Sequence, residues 1–219
     1  MISRNTVARS VFFFVLAAVC LFPVSASLGG EGGKSSVDPK YFHKDPAIGF
    51  SFPNIVGGVE ASGRVDYEEQ LKGAGYSIAY ASQPGETIQV YVYDAGQQAS
   101  EIGNGTESPA VARELKNAIG SIDILQKAGM YEDVRAIDNI FPAIREATGD
   151  FFLLQGFSLL NRSVSDGRLE TIVMIRGFRG KFVKIRATYI APALDGGEGA
   201  RHVASFVKDF RTLLVSAGK

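Results

Sequence analysis

Residues 171–190 read TIVMIRGFRGKFVKIRATYI, which is two strand-like runs joined by a short turn at Arg179 and Gly180. The first run, residues 171–178, has apolar side chains at both alternating positions. A strand with that pattern is buried on both faces, so we expect it to lie centrally in a covered sheet. The second run, residues 181–190, alternates apolar and polar side chains. It predicts a strand nearer an edge of the sheet, with its polar side facing solvent.

Four other stretches predict further strands. Residues 151–160 read FFLLQGFSLL, and because this run is also apolar at both parities it predicts a second central strand. Residues 76–80 and 88–92 alternate in character on either side of SQPGE, residues 82–86, which predicts a hairpin closed by a Pro-Gly turn. The stretch IGFSFP at residues 48–53 predicts a short strand that ends at its final proline.

The chain also contains signals for two helices. Ser108 can accept a backbone hydrogen bond as N-cap, Pro109 suits the first helical position, and Gly129 can end the helix in a left-handed conformation. The second helix is predicted over ARHVASFVKDFRTLLV, residues 200–215, because that stretch has one apolar helical face. The side chains that form this face are Val203, Phe206, Val207, Phe210 and Leu214.

The residue pattern leaves one segment open. Residues 130–149 fit either a strand or a helical turn, and Pro142 argues against one regular element through the whole segment. Around it the order of elements is strands, helix, strands and helix, with short connections. This order is typical of an α+β fold, in which helices pack on a mostly antiparallel sheet. We predict a single domain of this kind over residues 47–219.

The N-terminal residues predict an export signal. Arg4 and Arg9 precede an apolar run of 12 residues at positions 11–22, and the small residues VSA precede a cleavage site after Ala26. As a helix this run is about 18 Å long, which is short of the roughly 30 Å hydrocarbon core of a membrane. We therefore predict a cleaved signal peptide over residues 1–26 and no permanent membrane span.

The compartment follows from the signal peptide and the cysteine content. Residues 27–46 are rich in Gly, Ser and Pro, which predicts a flexible tether before the domain. Cys20 is the one cysteine of the chain, and cleavage would remove it together with any disulfide, thiolate nucleophile or cysteine metal ligand. An exported protein without disulfides is expected to be periplasmic or secreted. Acylation of Cys20, as in a lipoprotein, is the alternative.

Charge and histidine placement bear on the class of protein. Residues 28–150 contain 10 basic and 18 acidic side chains, whereas residues 151–191 contain 7 and 2. The predicted mature chain is slightly acidic as a whole, which argues against nucleic-acid binding. His43 and His202 lie at no metal-ligand spacing, and no catalytic motif is recognisable. We therefore predict no metal site and no cofactor.

The cationic side of residues 181–190 is the first candidate binding surface. Lys184 and Arg186 share that side, and three more cations lie near the same turn, namely Arg176, Arg179 and Lys181. Such a group could receive a small anionic ligand or an acidic periplasmic protein partner. It also fits the simpler interpretation of a solvated face whose charges prevent edge-to-edge pairing.

Two other stretches have both a functional and a structural interpretation. Tyr91 and Tyr93 share the polar side of their strand, which suits a recognition surface as well as ordinary cross-strand pairs. The stretch GNGTESP at residues 103–109 could hold a phosphate on its backbone amides, but a turn followed by an N-cap explains each of its residues.

Part of this sequence resembles a known pattern. Tyr67-Glu68, Gly73, Gly75, Ser77 and the run VYVYD at residues 90–94 resemble a series shared by a family of exported bacterial proteins without an assigned function. That resemblance implies export but no activity. In element order alone, the chain is similar to the α-β-α sandwich of the PsbP extrinsic protein of photosystem II and its relatives, which implies a noncatalytic assembly or binding module.

Together these features predict a noncatalytic envelope protein that binds a protein partner or a small ligand. Two alternatives remain open. One is a periplasmic hydrolase whose carboxylates converge in the fold, and the other is a lipid carrier with an interior cavity.

Overall fold

The computed structural model describes residues 40–81, 86–161, 168–191 and 197–218, which form ten strands and four helices. The strands are β1 (Tyr41–Asp45), β2 (Phe50–Pro53), β3 (Ile55–Val56), β4 (Val59–Asp66), β5 (Tyr76–Ala81), β6 (Thr87–Tyr93), β7 (Tyr131–Ile137), β8 (Leu153–Asn161), β9 (Leu169–Phe178) and β10 (Lys181–Ile190). The helices are α1 (Ala99–Ile102), α2 (Pro109–Lys127), α3 (Pro142–Thr148) and α4 (Gly197–Ala217).

Eight strands form one sheet in the order β3-β4-β5-β6-β10-β9-β8-β7, and every neighbouring pair is antiparallel. The predicted α+β class and the predicted β5–β6 hairpin are therefore confirmed. Strand β9 is central and covered on both faces, as expected. The expected edge position of β10 is wrong, because β10 lies between β6 and β9 in the middle of the sheet.

Helices cover both faces of the sheet. On one side, α3, α4 and the small β1–β2 hairpin enclose a large apolar cluster, and we call this side the α4 face. On the other side, α2 packs on β7, β8 and β9, and we call this side the α2 face. Alternation along a strand sends successive side chains to opposite faces. Tyr76 and Tyr80 accordingly lie on the α4 face, whereas Tyr91 and Tyr93 lie on the α2 face.

The predicted start of α2 is confirmed by its capping geometry. The Ser108 hydroxyl accepts a hydrogen bond from the Ala110 amide over 3.2 Å, and Pro109 occupies the first helical position. After the helix, Gly129 has a φ of +73°, the left-handed conformation expected there. In α4 the five side chains of the predicted apolar face are all buried.

Segment 130–149, whose sequence fits either a strand or a helical turn, contains two elements. Residues Tyr131–Ile137 form edge strand β7, and Pro142 begins the short helix α3. Proline fits that place because its missing amide hydrogen has no partner in the first turn of a helix.

The described residues include a strand that lies before the predicted start of the domain. Strand β1 lies inside residues 27–46 and pairs with β2, so the predicted start of the domain at residue 47 is too late. The predicted signal peptide over residues 1–26, with Cys20, lies outside the described residues, as does most of the predicted turn at residues 82–86. Among the described helices, none combines the length and the apolar character needed to cross a membrane.

Candidate functional site

The polar side of β10 faces helix α2 instead of solvent. Lys184 and Arg186 are only 5% and 8% exposed. Their predicted exposure is therefore wrong, because β10 lies between β6 and β9 in the middle of the sheet. Phe182, on the same side of β10, packs in one cluster with Ala110 and Val111 of α2, so this side is covered. Burying two cations is costly unless they are compensated by hydrogen bonds, opposite charge or aromatic rings, so the surroundings of the two side chains decide what they can do.

Lys184 is held against two tyrosines of β6. Its Nζ lies 4.5 Å from the ring centroid of Tyr91 and 5.0 Å from that of Tyr93. A cation at this distance from a ring is attracted by the negative charge of the ring face, and the attraction grows as water is excluded. Both rings are buried. The tyrosines therefore help to compensate the loss of water around the ammonium group.

Helix α2 contributes a carboxylate to the same region. Glu114 is 4% exposed, and its Oε1 accepts a hydrogen bond of 2.8 Å from the Tyr93 hydroxyl. Its Oε2 accepts one of 2.9 Å from Asn117 Nδ2, one turn further along the helix. Both carboxylate oxygens are thus hydrogen-bonded, which is how a buried carboxylate is kept.

Arg186 and Tyr91 extend this network toward both sides. Arg186 NH2 donates a hydrogen bond of 2.6 Å to the hydroxyl of Tyr131 on β7, and the Tyr91 hydroxyl donates one of 2.6 Å to Gln89 Oε1. We use the name polar layer for the whole set between α2 and the sheet. The polar layer consists of Gln89, Tyr91, Tyr93, Glu114, Asn117, Tyr131, Lys184 and Arg186.

The polar layer borders a part of the α2 face that is partly exposed. In the sheet register, Arg186 lies beside Gln89, Gln89 beside Ala79, and Ala79 beside Gly63. Arg186 is buried, whereas the other three residues of this row are only half-buried. Further along the same face of β4, Val65 is 41% exposed. A ligand lying over β4, β5 and β6 would therefore meet the polar layer at Gln89 and Arg186.

The other predicted cations lie elsewhere. Lys181 pairs with Asp94 over 2.6 Å. Arg179, at the β9–β10 turn, donates from NH1 to the Ile48 carbonyl over 2.8 Å, and its amide donates to Asn104 Oδ1 over 2.6 Å. Arg176 lies on the α4 face. The prediction of one continuous cationic patch is therefore wrong, because successive positions along the strands and the turn point in different directions.

The residues that carry the family resemblance meet at one end of the sheet. Glu68 accepts hydrogen bonds of 2.9 Å from the amides of both Gly73 and Gly75, and the hydroxyls of Tyr67 and Ser77 lie 2.8 Å apart. Gly75 has a φ of +61°, and a Cβ there would lie 1.9 Å from the Val92 carbonyl oxygen. This group closes the loop between β4 and β5, so these contacts give the residues a structural role.

The stretch GNGTESP behaves as a connection. Gly105 pairs with Gly177 through two backbone hydrogen bonds, and Ser108 caps α2. A Cβ at Gly177 would lie 2.8 Å from the Ile102 carbonyl oxygen, so the close approach of the two backbones depends on glycine there. The interpretation as a turn followed by an N-cap accounts for these contacts.

Four members of the polar layer were not predicted, namely Gln89, Glu114, Asn117 and Tyr131. One signal for them exists in the sequence. Glu114 lies three residues after Val111 and four before Ala118, so it shares the apolar face of α2. A carboxylate on a buried helix face requires a donor or a cation opposite, and the polar side of β10 has two cations. The contact of Tyr131 with Arg186 has no local signal, because it depends on the strand order.

Comparisons with known proteins found no relative of this chain. Among the described residues, no group of three or more His, Cys, Asp or Glu side chains is arranged to hold a metal ion. No protein-family model, no curated protein and no solved structure matches the chain. The resemblances to an exported bacterial family and to the PsbP-like layout therefore stay predictions.

Proposed function

We propose that this protein is an exported, noncatalytic binding module that binds a small organic anion on the α2 face. The anion would lie over β4 and β5 and would contact the polar layer at Gln89 and Arg186. The observation that supports the proposal is the burial of Lys184 and Arg186 side by side on one strand, next to a partly exposed surface. Charged side chains that are held away from water beside a partly exposed surface are candidates for a functional site.

The chemistry of the polar layer favours a carboxylate ligand. An arginine fork can donate two parallel hydrogen bonds to a carboxylate, and such charge-assisted bonds are stronger than neutral ones. Gln89 lies beside Arg186 in the register and has an amide group that can both donate and accept. The half-buried Ala79 and Gly63 beyond it would accommodate the apolar part of a small ligand.

The test is a titration followed by backbone amide resonances. Citrate is the probe, because it presents several carboxylates at once. We expect citrate to shift the amide resonances of Gln89, Ala79 and Arg186, with binding that weakens as salt rises, since charges are screened beyond about 10 Å at 0.1 M salt. Arg186→Gln should weaken binding about tenfold, which corresponds to about 1.4 kcal/mol.

Two further variants separate binding from folding. Arg186→Lys keeps the charge but loses the fork, so it should bind with intermediate affinity. Lys208→Gln removes an exposed cation of α4 on the opposite face and should bind citrate like the unaltered protein. Equal weakening by Lys208→Gln, or no shift at the α2 face, would contradict the proposal. A second polypeptide in the native mass spectrum of the purified protein would favour a protein partner instead.

The hydrolase alternative has one arrangement in its favour. His202 Nδ1 lies 3.0 Å from Oε2 of Glu86, which is 7% exposed, and His202 Nε2 lies 3.7 Å from Glu198 Oε1. An imidazole between two carboxylates can act as a general base. Hydrolysis of p-nitrophenyl acetate that Glu86→Gln abolishes would support this alternative, and equal rates in both proteins would remove it. The lipid carrier has no comparable observation among the described residues.

A further inference from the structure

Two guanidinium groups lie against one aromatic ring on the α4 face. Arg176 leaves β9 between Met174 and Phe178, whose side chains belong to the apolar cluster of that face. Its Cζ lies 3.4 Å from the centroid of the Phe151 ring. Arg211, on α4, places its Cζ 5.5 Å from the centroid of the same ring. Phe151 thus brings two cations from different elements to one place.

The hydrogen bonds of this pair are incomplete. Arg176 Nε donates to the Gly177 carbonyl over 3.2 Å, but its NH1 is buried and makes no hydrogen bond with any residue in the described part of the chain. A buried guanidinium nitrogen without an acceptor is unfavourable, because the donor has lost its hydrogen bonds to water and has formed none in their place. An incoming acceptor would remove that cost.

Electrostatics point to an acceptor with negative charge. Burial, and then the positive charge of Arg211, lower the pKa of Arg176 to about 10. Both causes disfavour the cationic form, and Arg176 nevertheless stays protonated at neutral pH. An anion between the two side chains would offset the mutual repulsion of the guanidinium groups as well as the loss of water.

The junction of α3 and β8 holds the pair in position. Arg211 NH1 donates to the Ala147 carbonyl at the end of α3 over 3.4 Å. Gly149, with a φ of +49°, follows α3, and a Cβ at that residue would lie 3.1 Å from Arg211 NH1. The 3-10 turn Gly149–Phe151 then places the Phe151 ring beside both guanidinium groups. Glycine at position 149 therefore leaves room for the Arg211 fork.

We propose that Arg176 and Arg211 form a binding site for a small oxyanion, a carboxylate or a phosphate group, clamped between their two forks beside Phe151. This site lies on the opposite face of the sheet from the polar layer. A test of one binding site therefore does not decide the other. Arginine is suited to the task because its planar fork matches both kinds of oxyanion.

The experiment follows the arginine side-chain Nε–Hε resonances of the full protein. Inorganic phosphate and acetate are titrated separately. We expect one or both to shift the Arg176 and Arg211 signals in a saturable way. Arg211→Gln should weaken that binding about tenfold, corresponding to about 1.4 kcal/mol. Arg113→Gln, at an exposed position of α2, is the matched control and should leave the binding unchanged.

Each outcome decides the proposal. Saturation by phosphate alone or acetate alone identifies the class of oxyanion, and saturation by both identifies a general oxyanion site. Shifts that appear only at concentrations where the Arg113 signal also moves, or equal affinity in Arg211→Gln, would overturn the proposal. If Arg176→Gln fails to fold, Arg176→Lys still tests the fork, because it keeps the charge and should bind more weakly than the unaltered protein.

Discussion

The two faces of the central sheet are buried by different kinds of side chain. On the α4 face, aromatic rings of β2 and α4 pack on each other, and the ring centroids of Phe50 and Phe210 lie 5.7 Å apart. On the α2 face, Lys184 and Arg186 of β10 and Glu114 of α2 are buried among tyrosines. Strand β10 contributes to both faces. This comparison shows that the elements packed on a strand determine which of its side chains are buried. The chemistry of those side chains then determines whether aromatic packing or hydrogen bonds and cation-π contacts stabilise the buried face.

The largest expected effect is on the α4 face. Phe210 is fully buried against Phe50, Phe52 and Phe206. Phe210→Ala should lower the free energy of unfolding by about 3–5 kcal/mol, because it removes the ring and leaves a cavity. Urea denaturation measures the change. Val215→Ala, at a position 43% exposed on the same helix, should change stability by less than about 0.5 kcal/mol. Similar losses in the two variants would show that α4 is not held by this aromatic cluster.

The second prediction compares one hydroxyl on each face. Tyr93→Phe removes a donor to the buried Glu114 carboxylate and should cost about 2 kcal/mol, since hydrogen bonds to charged groups contribute about 1.5–3 kcal/mol. Tyr80→Phe, on the α4 face, removes a 3.2 Å bond to the Pro53 carbonyl and should cost about 1 kcal/mol. Thermal and urea unfolding of both variants give the two values. A larger loss in Tyr80→Phe would reverse the contrast between the faces.

The third prediction concerns the helix that covers the polar layer. Ser108→Ala removes the hydroxyl oxygen that accepts a hydrogen bond from the Ala110 amide, and should destabilise the protein by about 1 kcal/mol. Urea denaturation is the measurement. Ser205→Ala, at an exposed position inside α4, is the control and should have little effect. If the two variants are equally stable, the cap contributes nothing to holding α2 on its face.

The smallest effect is a pH dependence from the hairpin on the α4 face. Burial, and then the Arg64 charge, lower the pKa of His43 below 6.5. The unfolded chain therefore binds a proton on His43 at a higher pH than the folded chain does. Above about pH 6.5 His43 does not lower the free energy of unfolding, and below that pH the free energy of unfolding decreases as His43 of the unfolded chain is protonated. Urea midpoints should drop between pH 7.5 and 5.5, and His43→Gln should drop less. An equal drop in both would assign the change to other groups.

Local elements of the fold could be predicted because their signals lie in neighbouring residues. The cap at Ser108, the left-handed Gly129 and the apolar face of α4 each depend on spacing within one segment. The β5–β6 hairpin has strands that are adjacent in the chain, so its pairing also follows from the sequence.

The candidate site could be predicted only in part. Alternation along the strands identifies Lys184, Arg186, Tyr91 and Tyr93 as candidate binding residues, and the structure brings these four together. Their burial could not be predicted, because it depends on β6 pairing with β10 across a large separation in the chain. A polar side looks the same in sequence whether water or a helix with a carboxylate lies above it. Arg176 shows the same limit, since it shares the Phe151 ring with Arg211, and that arrangement joins β9 to α4.

The alternating apolar and polar side chains of β10 also determine how this strand aligns with β6 and β9. A slip of this strand by a single residue would turn Lys184 and Arg186 into the aromatic cluster, and would turn Val183 and Ile185 toward Glu114. Both exchanges are strongly unfavourable, so competing strand alignments are rejected at the centre of the sheet. The two buried cations therefore help to make the native alignment unique.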